Sequence, residues 1–170
     1  VIALIEQASS IVVCAHTSPD GDAIGSSLAW ADYLRQVGKD PLVIVPDAFP
    51  DFLRWLPGVE KVLRYDKHTA LCNARMAEAD LIFCLDFNAT SRVDDMQQAL
   101  DKATAQRVVF DHHLNPQINA RLLVSFPLMS STCEIVFRIV WQLGGFDLLT
   151  RQAAVAVYCG MMTDTGGFTY

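Results

Sequence analysis

Three short apolar runs in this chain each stop on carboxylate or imidazole residues, and helical segments separate them. Ile11–Ala15 (Ile-Val-Val-Cys-Ala) runs into His16, with Asp20 and Asp22 just beyond. Leu81–Leu85 runs into Asp86, and Arg107–Phe110 into Asp111-His112-His113. After the first run, Ala23–Val37 carries apolar residues at helical spacing, Ile24, Leu28, Ala31, Leu34 and Val37, and Gly38 follows as a stop signal. Short apolar strands alternating with helices predict βαβ units, hence an α/β fold with a parallel β-sheet covered by helices on both faces. Such sheets bind ligands at the carboxyl ends of their strands. If the strands are parallel, all of these Asp and His residues gather at that one edge.

The remaining segments fill in the pattern. Pro41–Val45 reads as a strand ended by Pro46, Phe52–Leu56 as a helical turn before Pro57-Gly58, and Val62–Tyr65 as a short strand. Thr69–Ala77 reads as a helix capped by Thr69, and Arg92–Ala105 as a polar, amphipathic helix. Ser131 or Thr132 caps a helix running to about Leu143, with Glu134 in its first turn, where the dipole favours an anion. Thr150 caps a last helix to about Met162, and a further acid, Asp164, follows in Met-Thr-Asp-Thr-Gly-Gly.

The 170 residues are the size of one domain, and an apolar share of 52% supplies a core. The longest apolar candidate, Ala153–Met162, contains Gly160 and falls well short of the roughly 18 residues of a membrane helix. No signal-peptide pattern is visible, and because the chain starts at Val1 a longer natural N-terminus stays open. A formal net charge of −6 without a basic stripe argues against tracking along a long nucleic acid. A short phosphorylated substrate stays compatible, because bound cations reverse the local charge. The five cysteines form no C-x-x-C pair, which predicts buried free thiols and a cytoplasmic protein rather than disulfides or a zinc site.

Taken singly, the candidate site residues have ordinary explanations. Asp20-Gly21-Asp22 suits a solvated turn, Asp86 a cap, Asp164 a helix exit, and His113 a satisfied core histidine. Their repetition at four strand or helix ends is what points to a shared site. Several carboxylates in one cleft stay ionised only beside positive charge. Carboxylate and imidazole ligands without thiolates suit manganese, magnesium or iron better than structural zinc. Two cations about 3.5–4 Å apart need a bridging carboxylate and share a hydroxide that serves as nucleophile.

Four segments, in this order, resemble the motifs of the DHH phosphoesterase superfamily: His16-Thr17-Ser18-Pro19-Asp20-Gly21-Asp22-Ala23-Ile24-Gly25, Leu85-Asp86, Asp111-His112-His113 and Thr163-Asp164-Thr165-Gly166. The Pro-Asp-Gly-Asp form, Asp86 followed by Arg92, and Ser130-Ser131-Thr132-Cys133-Glu134 are similar to the branch of oligoribonucleases and phosphoadenosine phosphate (pAp) phosphatases, the nanoRNases. Family II pyrophosphatases usually read Asn-Pro-Asp-Thr-Asp in the first motif, and the single-strand exonucleases Asp-Ala-Asp-Gly.

The resemblance implies a DHH-type, Rossmann-like three-layer sandwich. It also implies a manganese-dependent phosphoesterase of the exoribonuclease or 3'(2'),5'-bisphosphate nucleotidase type. By motif position, His16, Asp20 and Asp86 hold a first metal. Asp22, His112, Asp164 and the bridging Asp86 hold a second. His113 faces the substrate phosphate, Asp111 orients a histidine, and Arg92 grips phosphate. The implied substrates are short oligonucleotides and pAp, and the sequence leaves a homodimer open. Family members are about twice as long and carry a C-terminal domain with a Gly-rich, His-containing substrate motif. No such motif is present here, so residues 1–170 are expected to be the N-terminal catalytic domain of a longer protein. A module that binds metal and turns over little without its partner domain, and a pyrophosphatase, are the alternatives.

Overall fold

The computed structural model describes residues 1–170. Its main elements run α1 (Ile2–Gln7), β1 (Ile11–Cys14), α2 (Gly21–Gln36), β2 (Leu42–Val45), β3 (Leu63–Arg64), α3 (Thr69–Glu78), β4 (Leu81–Leu85), α4 (Gln97–Lys102), β5 (Gln106–Asp111), β6 (Leu122–Ser125), α5 (Thr132–Gln142) and α6 (Arg151–Asp164). The strands form one sheet in the order β3-β2-β1-β4-β5-β6, and every pairing is parallel. The chain therefore builds outward from β1 in one direction, then returns beside β1 and builds the other way. Connections leave β1 and β4 on opposite faces, which opens a crevice at their carboxyl ends.

Side chains alternate between two cores, as the pleat requires. Val13, Phe83 and Phe110 join the core that contains residues of α1, α2, α5 and α6, whereas Cys14, Cys84 and Val109 join the one that contains residues of α3 and α4. The first core is the larger, with 32 buried residues against 15, so the α2 face carries most of the apolar burial. At its centre Trp30 meets Phe83 and Phe110 edge-on, with ring centroids 5.1 and 5.0 Å apart. Two glycines let α2, α5 and α6 meet closely. A Cβ on Gly25 would lie 2.5 Å from the Ala156 carbonyl oxygen, and one on Gly160 would overlap the Cys133 sulfur.

Several local expectations are corrected. The helix expected over Arg92–Ala105 is broken: Thr90–Met96 is a 3₁₀ segment, with Asp94 at φ +46°, and only Gln97–Lys102 is α-helical. Val93 and Met96, on either side of the kink at Asp94, are both fully buried. Thr69 is not a cap. His68 holds that position, while the Thr69 hydroxyl donates back to the Tyr65 carbonyl at 2.8 Å. Of the two cap candidates for α5, Ser131 is the one that serves, as expected. α6 extends past Met162, so Asp164 sits in its last turn. The short uncapped α1 and the half-exposed edge strand β6 were not expected from the sequence. All five cysteines are free and buried, and no helix is long and apolar enough to cross a membrane.

Candidate metal centre

Each candidate ligand is aimed by its element. Asp20 is the N-cap of α2, where its Oδ1 accepts from the N–H groups of Asp22 and Ala23, both at 3.0 Å. Asp22 lies in the first turn of that helix and is buried. Asp86 leaves β4 at φ +65°, a left-handed conformation that aspartate tolerates better than most residues, while its N–H donates to the Phe110 carbonyl at 3.0 Å. This turn swings the Asp86 carboxylate to the middle of the crevice.

The histidines are oriented by carbonyl groups. His16 Nδ1 lies 2.7 Å from the Thr17 carbonyl oxygen, and His112 Nδ1 lies 3.3 Å from that of Met129. A carbonyl only accepts, so in each ring Nδ1 carries the proton and Nε2 is left to face the acids. His16 Nε2 is 3.3 Å from Asp86 Oδ2 and 4.0 Å from Asp20 Oδ1. His112 Nε2 is 3.6 Å from Asp86 Oδ1, 3.8 Å from Asp22 Oδ2 and 3.4 Å from Asp164 Oδ2. Three groups of side chains thus converge with ligand atoms within 4.8 Å of one another: His16, Asp20 and Asp86; Asp22, His112 and Asp164; Asp86, His112 and His113. Asp86 turns one oxygen toward each of the two histidines His16 and His112.

The charges in this cleft are poorly balanced. Burial and the neighbouring charge of Asp86 push the Asp22 carboxyl well up, against the hydrogen bonds it accepts. Burial also raises Asp164, with Asp86 and Asp20 adding to the rise and His112 opposing it. Burial opposes the charged form of His16, but Asp86, the Thr17 carbonyl and Asp20 outweigh it and raise the ring. A divalent cation relieves this imbalance, and the donor set of carboxylate oxygens and imidazole nitrogens fits one. The Cys133 thiol does not compete as a ligand. Its sulfur donates to the Asp22 backbone carbonyl at 3.7 Å and lies in none of the three converging groups, and burial raises its pKa.

Of the other candidates, His113 and Arg92 lie at the rim and Asp111 is fully buried. His113 is partly exposed; its Nδ1 is 2.7 Å from Asp111 Oδ1, and its own N–H donates to Asp111 Oδ2 at 2.9 Å. The Asp111 hydrogen bond raises the ring despite burial, with Asp86 adding to it and the nearby Arg92 charge opposing it. Arg92 itself is exposed.

Two residues support the ligands in a role the sequence does not mark: Asn88 belongs to no motif, and Thr132 enters only as a cap candidate and within the Ser130–Glu134 resemblance. Asn88 donates through Nδ2 to the carbonyls of His113 and Leu114, both at 3.1 Å, and its own carbonyl accepts from Gln117 and Ile118. Thr132 donates its N–H to Asp22 and its hydroxyl to Asp86. Nothing in periodicity marks either position; only the fold brings them to the site.

Comparison with known proteins bears on the fold and the family. An exopolyphosphatase-related protein from Bacteroides fragilis superposes over 99% of this chain and 50% of its own, with TM-score 0.98 and 46% identity. The bifunctional oligoribonuclease and PAP phosphatase NrnA of Thermus thermophilus is 32% identical over 94% of this chain and 44% of its own length. The cyclic-di-AMP phosphodiesterase PdeA of Listeria monocytogenes is 28% identical over 98% of this chain and 26% of its own. The chain thus spans half or less of the length of these relatives. Residues 10–161 match the pattern described as the DHH family, N-terminal domain. With the whole sheet and every candidate ligand except Asp164 inside that match, the chain belongs to the DHH family and carries its N-terminal domain.

Proposed function

We propose that this domain is a two-metal phosphoesterase that hydrolyses short oligonucleotides and pAp. The observation that carries the reading is the Asp86 carboxylate, buried between two separate acid-histidine groups with an oxygen toward each. In this reading His16, Asp20 and Asp86 hold one divalent cation, and Asp22, His112, Asp164 and Asp86 hold the other. Manganese suits this oxygen and imidazole donor set, with magnesium an alternative. A bound pair of such cations activates water for attack on phosphorus and neutralises the phosphoryl oxygens.

The chain's own residues do the rest. His113, oriented by Asp111 through Nδ1, presents its other ring nitrogen to a phosphoryl oxygen of the substrate as a hydrogen-bond donor. Arg92 offers the nearby positive charge for a second phosphate. Likeness to a PAP phosphatase and oligoribonuclease supports these substrates, and the five unpaired cysteines suit a reducing compartment. The shortness of the chain against its relatives supports reading residues 1–170 as the catalytic part of a two-domain protein. It also favours a second reading, a metal-holding module that turns over little by itself.

The test is turnover of a dinucleotide and of pAp with manganese, by this chain and by a version extended with its natural downstream sequence. The proposal expects hydrolysis of both substrates, much faster in the extended version, because positioning groups supply several kcal/mol of the effect. Release of phosphate from pyrophosphate alone would contradict it. Equal rates for the two versions would remove the two-domain part.

A further inference from the structure

Thr132 is the first residue of α5, fully buried, and its hydroxyl is not needed to cap that helix. Ser131 already does so, accepting from the Glu134 N–H at 3.1 Å. Both donors of Thr132 point into the metal centre instead. Its N–H donates to Asp22 Oδ2 at 2.6 Å, and its hydroxyl donates to Asp86 Oδ1 at 2.9 Å. These are the same two oxygens that face His112 Nε2, at 3.8 and 3.6 Å. The other oxygen of Asp86 faces His16 and takes no hydrogen bond from Thr132. The other oxygen of Asp22 accepts from the Cys133 N–H at 2.8 Å.

We infer that Thr132 is a positioning residue for one of the two cation sites. Its hydroxyl fixes the Asp86 oxygen that serves the group of Asp22, His112 and Asp164, and leaves the group of His16 and Asp20 to its own hydrogen bonds. The inference rests on the two-metal reading. A hydrogen bond to a ligating carboxylate settles its rotamer and which lone pair is presented, and partners of this kind change metal affinity by roughly 10- to 100-fold when removed. The backbone N–H bonds to Asp22 survive any substitution at this position, so side-chain variants isolate the hydroxyl.

Calorimetric titration of manganese chloride into the chelator-treated chain tests this, with the parent, Thr132→Val and Thr132→Ser. Valine keeps the shape and removes the donor; serine keeps the donor. The parent should take up two ions. Thr132→Val should bind one ion as the parent does and the other roughly 10- to 100-fold more weakly, and Thr132→Ser should restore the weakened one. If valine prevents folding, Thr132→Ala carries the same comparison. Unchanged affinity for both ions in the variant lacking the hydroxyl overturns the inference. Equal weakening of both ions also overturns it, because that is the signature of a general loss of structure. A parent chain that binds fewer than two ions overturns the metal reading itself.

Discussion

At the scale of single residues, the two adjacent histidines have different surroundings and should behave differently. His112 Nε2 faces three carboxylates, and its other nitrogen is tied to the Met129 carbonyl. His113 is tied to Asp111 and opens toward solvent. We expect His112→Ala to lose one of the two manganese ions. His113→Ala should keep both and slow hydrolysis by roughly 10²–10⁴-fold, the usual worth of a positioned proton donor. Manganese content after gel filtration, measured beside turnover, separates the two. A His112→Ala protein with two tightly held ions would remove His112 from the ligand set. The local conformation also restricts the probes at Asp86. At φ +65° asparagine is tolerated, so Asp86→Asn changes charge without forcing the backbone to move.

At the scale of elements, the edge of the sheet was legible and the detail around it was not. The runs that became β1, β4 and β5 are apolar and bounded by His or Asp, so both their existence and their direction follow from pattern. The edge strand β6 is half-exposed and carries no such contrast, and α1 has neither a cap nor a full amphipathic repeat. Asp86 and its neighbours were readable as ligand types, whereas Thr132 and Asn88 act through contacts that span 46 and 25 residues of sequence. No local rule sees these contacts.

The packing of α2 on α6 offers a test of its own. Gly25→Ala should gain up to about 1 kcal/mol in helix propensity. The new Cβ would press on the Ala156 carbonyl oxygen, and overpacking against backbone costs about 1–3 kcal/mol. The net expectation is a lower urea midpoint; a raised midpoint would show that the helices separate freely. Asp80 clamps the start of β1, accepting from the Ser9 and Ser10 N–H groups at 3.0 and 2.9 Å, and these bonds hold its carboxyl below the usual range. A depressed folded pKa contributes stability above the unfolded pKa and loses it as pH falls through the folded one. The parent should therefore exceed Asp80→Asn by about 1 kcal/mol near neutrality, a modest figure because the site is exposed. The gap should close in acid below the ordinary aspartate range. A gap that stays constant with pH would contradict this.

At the scale of the whole molecule, two features set the chemistry. The sheet order reverses between β1 and β4, and the ligand-bearing turns after those strands meet at that point. The chain is acidic overall, with net charge −6, so it attracts cations and needs them before a phosphate can approach. Its two cores are complete without any ion, since strands and helices cover each other on both faces. Metal uptake is thus expected to fill a folded site. The most direct test of a shared Asp86 is electron paramagnetic resonance of the manganese-loaded chain, with the metal counted in the same sample. The parent should hold two ions per chain with the spectrum of a spin-coupled pair. Asp86→Asn should lose the coupling and at least one ion. Two ions in the parent that give only the six-line signal of isolated manganese, or a coupled pair that persists in Asp86→Asn, would contradict a centre built around that carboxylate.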